Sequence, residues 1–157
     1  MAAVTLTSTQ VNNGPVLGDR PGLNVKRVLF SGRDTSGLTL CTSVCLQMVA
    51  IPDGARVVDV LVKCTGISTQ VGNFTVGDGS STARYVSAIS VTASSVLSRM
   101  NVSGGAGWRY SLTQSASTPF VFAKFDTIDM TFVALTSTNT MSIEMSVWYL
   151  MERDANI

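Results

Sequence analysis

The 157-residue sequence contains no histidine. Histidine is the most common general base and metal ligand of proteins, so the chain cannot build a Ser-His-Asp or Cys-His arrangement. A hydrolase or lyase on a β-scaffold, and a cupin-type metal site in particular, would lack its usual ligands and bases. We therefore expect no catalytic residues, no bound metal and no cofactor.

Charge is scarce as well. Charged residues make up 13% of the sequence, about half the usual share of a soluble domain, and the net charge is +1. So weak a field does not concentrate nucleic acid. No apolar run reaches the ~20 residues of a membrane helix, and the N-terminus lacks the positive-then-apolar order of a signal peptide. We expect no nucleic acid and no membrane as partners, and synthesis in the cytoplasm.

Cysteine is limited to Cys41, Cys45 and Cys64. Cys41 and Cys45 would lie ~13 Å apart along one strand, which is too far for a disulfide. Three thiols without histidine are also poorly suited to zinc. The sequence predicts free thiols that pack in the interior.

What the sequence does contain is hydroxyl groups, on 19 Ser and 18 Thr, and apolar residues that alternate with polar ones. Period-two alternation is the signature of a half-buried strand. In "TMSIEMSVWYLMER" one face carries Met141, Ile143, Met145, Val147, Tyr149 and Met151. The same alternation predicts two further strands. One has its apolar face at Ile128, Met130, Phe132 and Ala134, and the other at Val58, Val60, Val62 and Cys64. A fourth set of apolar residues with this spacing consists of Leu38, Leu40, Val44, Leu46 and Met48.

Eight or nine such strands are separated by turn signals, and no helical stripe is longer than two turns. This pattern predicts an all-β protein, an antiparallel β-sandwich with the strand count of a jelly roll. Residues 36–157 would form the sandwich. Residues 1–35 show two Pro/Gly turn signals without sustained periodicity and predict an extended N-terminal arm.

The loop Gly77-Asp78-Gly79 fits a phosphate cradle, a calcium loop or a turn. A phosphate loop would need a third glycine and a helix after it, or the Walker lysine. A calcium loop would need more than one acidic residue. A hairpin tip requires only the Asp-Gly pair, so we expect Asp78 and Gly79 at the tip and Phe74 and Val76 inside.

Asp126 and Asp129 are a close carboxylate pair of the kind that a glycosidase places in a cleft. Because they fall before and on the polar side of a strand, we expect solvated strand-edge positions instead.

The arm combines apolar and cationic residues that could lie across a neighbouring subunit and add a strand to its sheet. In a monomer the same segment would be a solvated tail. The candidate partner-binding residues are Val16, Leu17, Arg20, Lys26, Arg27, Val28, Leu29, Phe30 and Arg33.

Three phrases, "IPDGARVVDVLVKCTG", "GNFTVGDGSSTARYV" and "SVWYLMER", resemble virion structural proteins of tailed bacteriophages, in particular small β-sandwich proteins that decorate or cement capsids. The likeness covers roughly residues 50–90 and the last strand. It implies a non-enzymatic jelly-roll homo-oligomer, a trimer, bound to the major capsid protein on the capsid exterior. There it would stabilise the shell by bridging capsomers.

A second hypothesis is a tail-associated or receptor-binding β-sandwich. In that case exposed aromatic residues such as Trp108, Tyr110 and Trp148 would stack on sugars.

Overall fold

The computed structural model describes residues 4–7, 22–31, 44–66, 72–91, 95–100, 126–133 and 141–151. They form nine strands: β1 (Val4–Thr7), β2 (Gly22–Ser31), β3 (Val44–Ile51), β4 (Ala55–Thr65), β5 (Asn73–Asp78), β6 (Ser81–Ser90), β7 (Ser95–Arg99), β8 (Asp126–Val133) and β9 (Ser142–Met151). Over these ranges there is no helix, and hence none long and apolar enough to cross a membrane.

The strands form two sheets. One has five strands in the order β1-β3-β8-β5-β6, and the other has four in the order β2-β9-β4-β7. Chain neighbours mostly lie in different sheets, which is the connectivity of jelly-roll sandwiches. All pairings are antiparallel except that of β1 with β3, which is parallel. The predicted fold class is confirmed.

The core lies between the sheets and follows the predicted alternation in β9 and β8. Met141, Ile143, Met145, Val147 and Tyr149 are fully buried, and Met151 packs against them from the edge. Ile128, Met130 and Phe132 of β8, and Val44, Leu46 and Met48 of β3, complete the same layer. Leu38, Leu40 and Ala134 lie outside the described residues.

A bulge corrects one predicted face. The pairing of β4 with β9 shifts between Val57 and Asp59, so Val58 is the extra residue of a β-bulge. Ala55 and Val57 point inward before the bulge, and Val60 resumes the inward face after it. The sequence predicted that Val58 shares the inward face of Val60. In the structure Val58 is half-buried and lies in the bulge instead.

The arm requires a correction too. β2 lies within residues 1–35, yet all ten of its residues pair with β9 of the same chain. Val28 belongs to the core, and Phe30 packs against it. Gly22–Ser31 is therefore an edge strand of the sandwich and not a separate arm. The predicted boundary after residue 35 lies outside the described residues.

The β5–β6 hairpin has Phe74 and Val76 fully buried, as predicted, but its tip is Gly79-Ser80. Asp78 is 1% exposed and ends β5 at the base of the turn. Gly77 is required by close approach, because a Cβ there would lie 1.8 Å from the backbone oxygen of Ser81. Gly79 does not adopt the positive φ that is typical of an Asp-Gly hairpin turn.

Candidate interaction surface

The outward side of the four-stranded sheet carries a row of large apolar side chains. Alternation along β2 turns Leu23, Val25 and Leu29 outward while Val28 points inward. The register places Trp148 beside Val25 and Leu150 beside Leu23 on β9. We call this side the outer apolar face, and its apolar members are Leu23, Val25, Leu29, Leu61, Leu97, Trp148 and Leu150.

Four of these side chains are mostly in solvent. Leu23 is 63% exposed, Val25 58%, Leu29 71% and Leu97 67%. Isolated exposed leucines are common on protein surfaces, but a group on one flat sheet face is typical of an interaction site. Trp148, Leu61 and Leu150 are half-buried and fill the middle of the same face.

Two ion pairs cross the outer apolar face. Arg27 of β2 contacts Glu144 of β9 at 2.8 Å, and Arg99 of β7 contacts Asp59 of β4. The hydrogen bond to Asp59 raises the pKa of the Arg99 guanidinium above its ordinary value. Surface pairs of this kind contribute little to stability. Their importance here is that they place charge among apolar side chains.

The outward side of the five-stranded sheet has the opposite character. Its described middle consists of short, half-buried polar side chains such as Thr75 of β5 and Thr131 of β8. At the β1 edge the Thr7 hydroxyl donates to Gln47 Oε1 at 3.2 Å. Val133 is the one large apolar residue that is exposed among the described residues of this side, at 46%. The sandwich therefore has one apolar and one hydroxyl-rich outer side.

The structure divides the nine predicted partner-binding residues. Arg27 and Leu29 lie on the outer apolar face, whereas Lys26, Val28 and Phe30 point into the sandwich. The buried Lys26 Nζ donates to the Ala50 carbonyl oxygen at 3.2 Å and lies 5.2 Å from the centre of the Tyr149 ring. These three side chains are occupied within the chain, and partner binding by the nine residues stays a prediction. Val16, Leu17, Arg20 and Arg33 lie outside the described residues.

Sequence reasoning missed Leu23, Val25, Leu61 and Leu97. A signal existed in "GLNVKRVLFS", where apolar residues occupy both alternating sets of positions. A strand that is apolar on both sides is typical of a strand covered on both sides. The aromatic residues of the sugar-binding hypothesis are only partly described: Trp148 is half-buried, and Trp108 and Tyr110 lie outside the described residues.

Asp78 organises a second polar cluster, at the β5–β6 hairpin. Its Oδ1 accepts hydrogen bonds from the backbone N–H groups of Ser80 at 3.0 Å and Ser81 at 2.9 Å, and from the Ser80 hydroxyl at 2.8 Å. Its Oδ2 accepts from Arg84, whose side chain is 11% exposed. With its acceptor sites occupied, the carboxylate acts as a structural clamp for the turn.

Asp126 and Asp129 approach this cluster from β8. Asp129 is buried, which corrects the predicted solvated position, and Asp126 is half-buried. The Asp129 carboxylate accepts from the Thr127 hydroxyl at 2.7 Å. Burial, with smaller contributions from Asp126 and Asp78, raises the Asp129 pKa from 3.8 to about 6. Across the described part of the chain, no three metal-ligating side chains are placed to hold an ion.

The cysteines that the structure describes carry free thiols. Cys64 is buried in the core, and this burial raises its pKa to about 12. Burial and the neighbouring Asp129 also raise the pKa of the half-buried Cys45 thiol. A raised pKa favours the protonated thiol, which is a weaker nucleophile than the thiolate. Cys41 lies outside the described residues.

Together these features define a β-sandwich with one apolar and one hydroxyl-rich outer side. No protein-family model matches the chain, and no curated protein is significantly similar to it. Its fold is nevertheless found among solved structures. A chain in the capsid of Ralstonia phage GP4 superposes with a TM-score of 0.65 at 12% identity, over 96% of this chain and 100% of that one.

Two further structures are similar in outline. A chain of the cyanophage Pam1 capsid asymmetric unit has a TM-score of 0.49 at 23% identity, over 85% of this chain and 89% of that chain. A chain of the acid-stable capsid of Helicobacter pylori bacteriophage KHP30 has a TM-score of 0.47 at 11% identity, over 83% and 90%. The Ralstonia phage match spans both chains almost completely, so the shared fold is the entire sandwich.

Proposed function

We propose that the chain is a non-enzymatic structural protein of a bacteriophage virion, a decoration or cement protein that binds the shell of the major capsid protein from outside. The observation that carries this proposal is the contrast between the two outer sides of the sandwich. An apolar side favours burial against another protein, and a hydroxyl-rich side suits contact with water.

Two other observations support this role. The fold is shared along its whole length with a chain from a phage capsid. The sequence phrases that resemble virion decoration proteins lie on β4, on the β5–β6 hairpin and on β9. Two of these three elements, β4 and β9, form the centre of the outer apolar face.

The mode of action would be adhesion alone. Each copy would lay its outer apolar face across a junction between capsomers, and many such contacts would act together through multivalency. The chain would act as a homo-oligomer, specifically a trimer. Each trimer would engage several junctions between capsomers at once. A solution mass of three 16.6 kDa chains tests the trimer.

The test of function is binding to undecorated capsid shells, followed by cosedimentation. The wild-type chain should sediment with the shells and raise the temperature at which they release their contents. Val25→Asp should abolish cosedimentation, because it places a carboxylate within the buried contact.

Val133→Asp is the matched control. It makes the same chemical change at a similarly exposed valine on the opposite side of the sandwich. It should bind shells as the wild type does. Equal loss in both variants, or no binding by the wild-type chain, would contradict the proposal. Binding of the isolated protein to a glycan array would instead support a receptor-binding role.

A further inference from the structure

The outer apolar face carries a larger positive net charge than the chain as a whole. Its outward side chains include four cations, Arg27, Arg56, Lys63 and Arg99, and two carboxylates, Asp59 and Glu144. Four minus two leaves +2 on this face, whereas the entire chain carries only +1. The other residues of the chain therefore sum to −1.

The cations also reach further into solvent than their carboxylate partners. The Arg27 side chain is 69% exposed and its partner Glu144 only 29%. Arg99 is 52% exposed and its partner Asp59 only 8%. Asp59 is further retained by the backbone N–H of Val60 at 2.9 Å. A molecule approaching the face thus meets guanidinium groups and leucines before it meets carboxylates.

Each of the two arginines stands beside an exposed apolar residue. Arg27 lies between Val25 and Leu29 along β2, and Arg99 lies two residues after Leu97 on β7. A guanidinium group is weakly hydrated and forms bidentate pairs with carboxylates, so it is well suited to a contact that becomes buried.

On the basis of the proposed function, we infer that the partner of the outer apolar face is a protein surface with an apolar centre bordered by carboxylates, and not a second copy of this chain. Two copies placed face to face would bring together two surfaces that each carry a net charge of +2, which is unfavourable. The trimer contact must then use another part of the sandwich, such as the opposite edges of its sheets.

The first test is the salt and charge dependence of shell binding. Raising NaCl from about 0.01 M to about 1 M shortens the Debye length from about 30 Å to about 3 Å. Wild-type affinity for undecorated shells should fall by at least tenfold over this range. The double variant Arg27→Glu with Arg99→Glu should bind at least tenfold more weakly at low salt.

The matched comparison uses two equal changes of net charge, −2 each: Arg27→Gln with Arg99→Gln on the outer apolar face, and a pair of substitutions in the other sheet. Thr82→Glu with Ser90→Glu adds two carboxylates at exposed positions of β6, in the other sheet. It should retain most of the wild-type affinity. If it weakened binding as much as Arg27→Gln with Arg99→Gln does, the effect would follow net charge and the inference would be overturned.

A second test does not need the shell. Beads carrying carboxyl-terminated alkyl chains should retain the wild-type chain more strongly than beads carrying amino-terminated chains of equal length, and the arginine reversals should invert this order. Equal retention on both would overturn the inference even if shells bind. Failure of the proposed function alone would appear as normal bead selectivity without shell binding.

Two further results would contradict the choice of partner. If Val25→Asp converted an oligomer to monomers in sedimentation equilibrium, the face would bind a second copy. If the wild-type chain bound phosphatidylglycerol vesicles as tightly as it binds shells, an anionic lipid surface would be the better match. The inference requires an unchanged mass and weaker binding to vesicles than to shells.

Discussion

The Asp78 carboxylate closes the turn after β5 by accepting several hydrogen bonds while it is 1% exposed. A buried charge in this setting is tolerable only because Arg84 neutralises it and backbone N–H groups solvate it. The sequence indicated a turn at this point, but an Asp in an Asp-Gly pair is equally compatible with an exposed tip. The burial follows from long-range packing that local pattern does not encode.

We predict that Asp78→Ala destabilises the fold by about 3 kcal/mol, because it leaves the Arg84 guanidinium buried without its partner. Urea denaturation measures the loss. Asp78→Asn is the control, since its amide oxygen still accepts the hydrogen bonds from Ser80 and Ser81. It should lose less than the alanine variant. A loss below about 1 kcal/mol for Asp78→Ala would show that the clamp is dispensable.

Asp129 should make the free energy of unfolding depend on pH near neutrality. Its pKa is about 6 in the folded chain and 3.8 ordinarily, so between these values the folded state holds a proton that the unfolded state has lost. Stability should therefore rise as pH falls from 7 to 5, by on the order of 1–2 kcal/mol. Denaturation midpoints at the two pH values measure this change.

Asp129→Asn removes the titrating group and keeps an oxygen that accepts from the Thr127 hydroxyl. Its stability should change little between pH 7 and pH 5. If the wild-type chain instead lost stability over this interval, the Asp129 carboxyl would be ionised in the fold at pH 5, contrary to what burial beside Asp126 and Asp78 implies.

Among the strands, β2 separates what local pattern can predict from what it cannot. β8 and β9 have one apolar and one mostly polar set of positions, and their inward faces were predicted residue by residue. β2 is apolar on both sets and follows a Pro-Gly turn signal, so the sequence indicated an arm. Only its pairing with β9, more than one hundred residues later in the chain, makes it a strand of the sandwich.

Adjacent substitutions on β2 test this placement. Val28→Asp should unfold the chain or destabilise it by more than about 3 kcal/mol, because it buries a carboxylate in the core. Leu29→Asp, at a position 71% exposed, should change stability by less than about 0.5 kcal/mol. Thermal denaturation followed by circular dichroism measures both.

Similar stability of the two variants would show that β2 is detached from the sheet in solution, as the sequence alone suggested. The stable Leu29→Asp variant also serves the binding assay, where it should behave like Val25→Asp.

For the molecule as a whole, composition and periodicity were sufficient for the fold class. Alternation fixes which residues face the core, and turn residues fix roughly where strands end. The outer apolar face was not predictable in the same way. It exists only because β2, β9, β4 and β7, far apart in the chain, are aligned in one sheet. Of the residues on this face, the sequence singled out only Arg27 and Leu29, and only the sheet topology brings the other residues beside them.

The unequal sides of the sandwich also bear on how thick a coat of such molecules can become. If the leucine-bearing side is buried against a shell as proposed, an arriving copy meets the opposite side, where polar groups predominate among the described residues and Val133 is the one large exposed apolar side chain. Its own leucines would find little apolar surface there. Growth would stop after a single layer, without any separate factor to limit it.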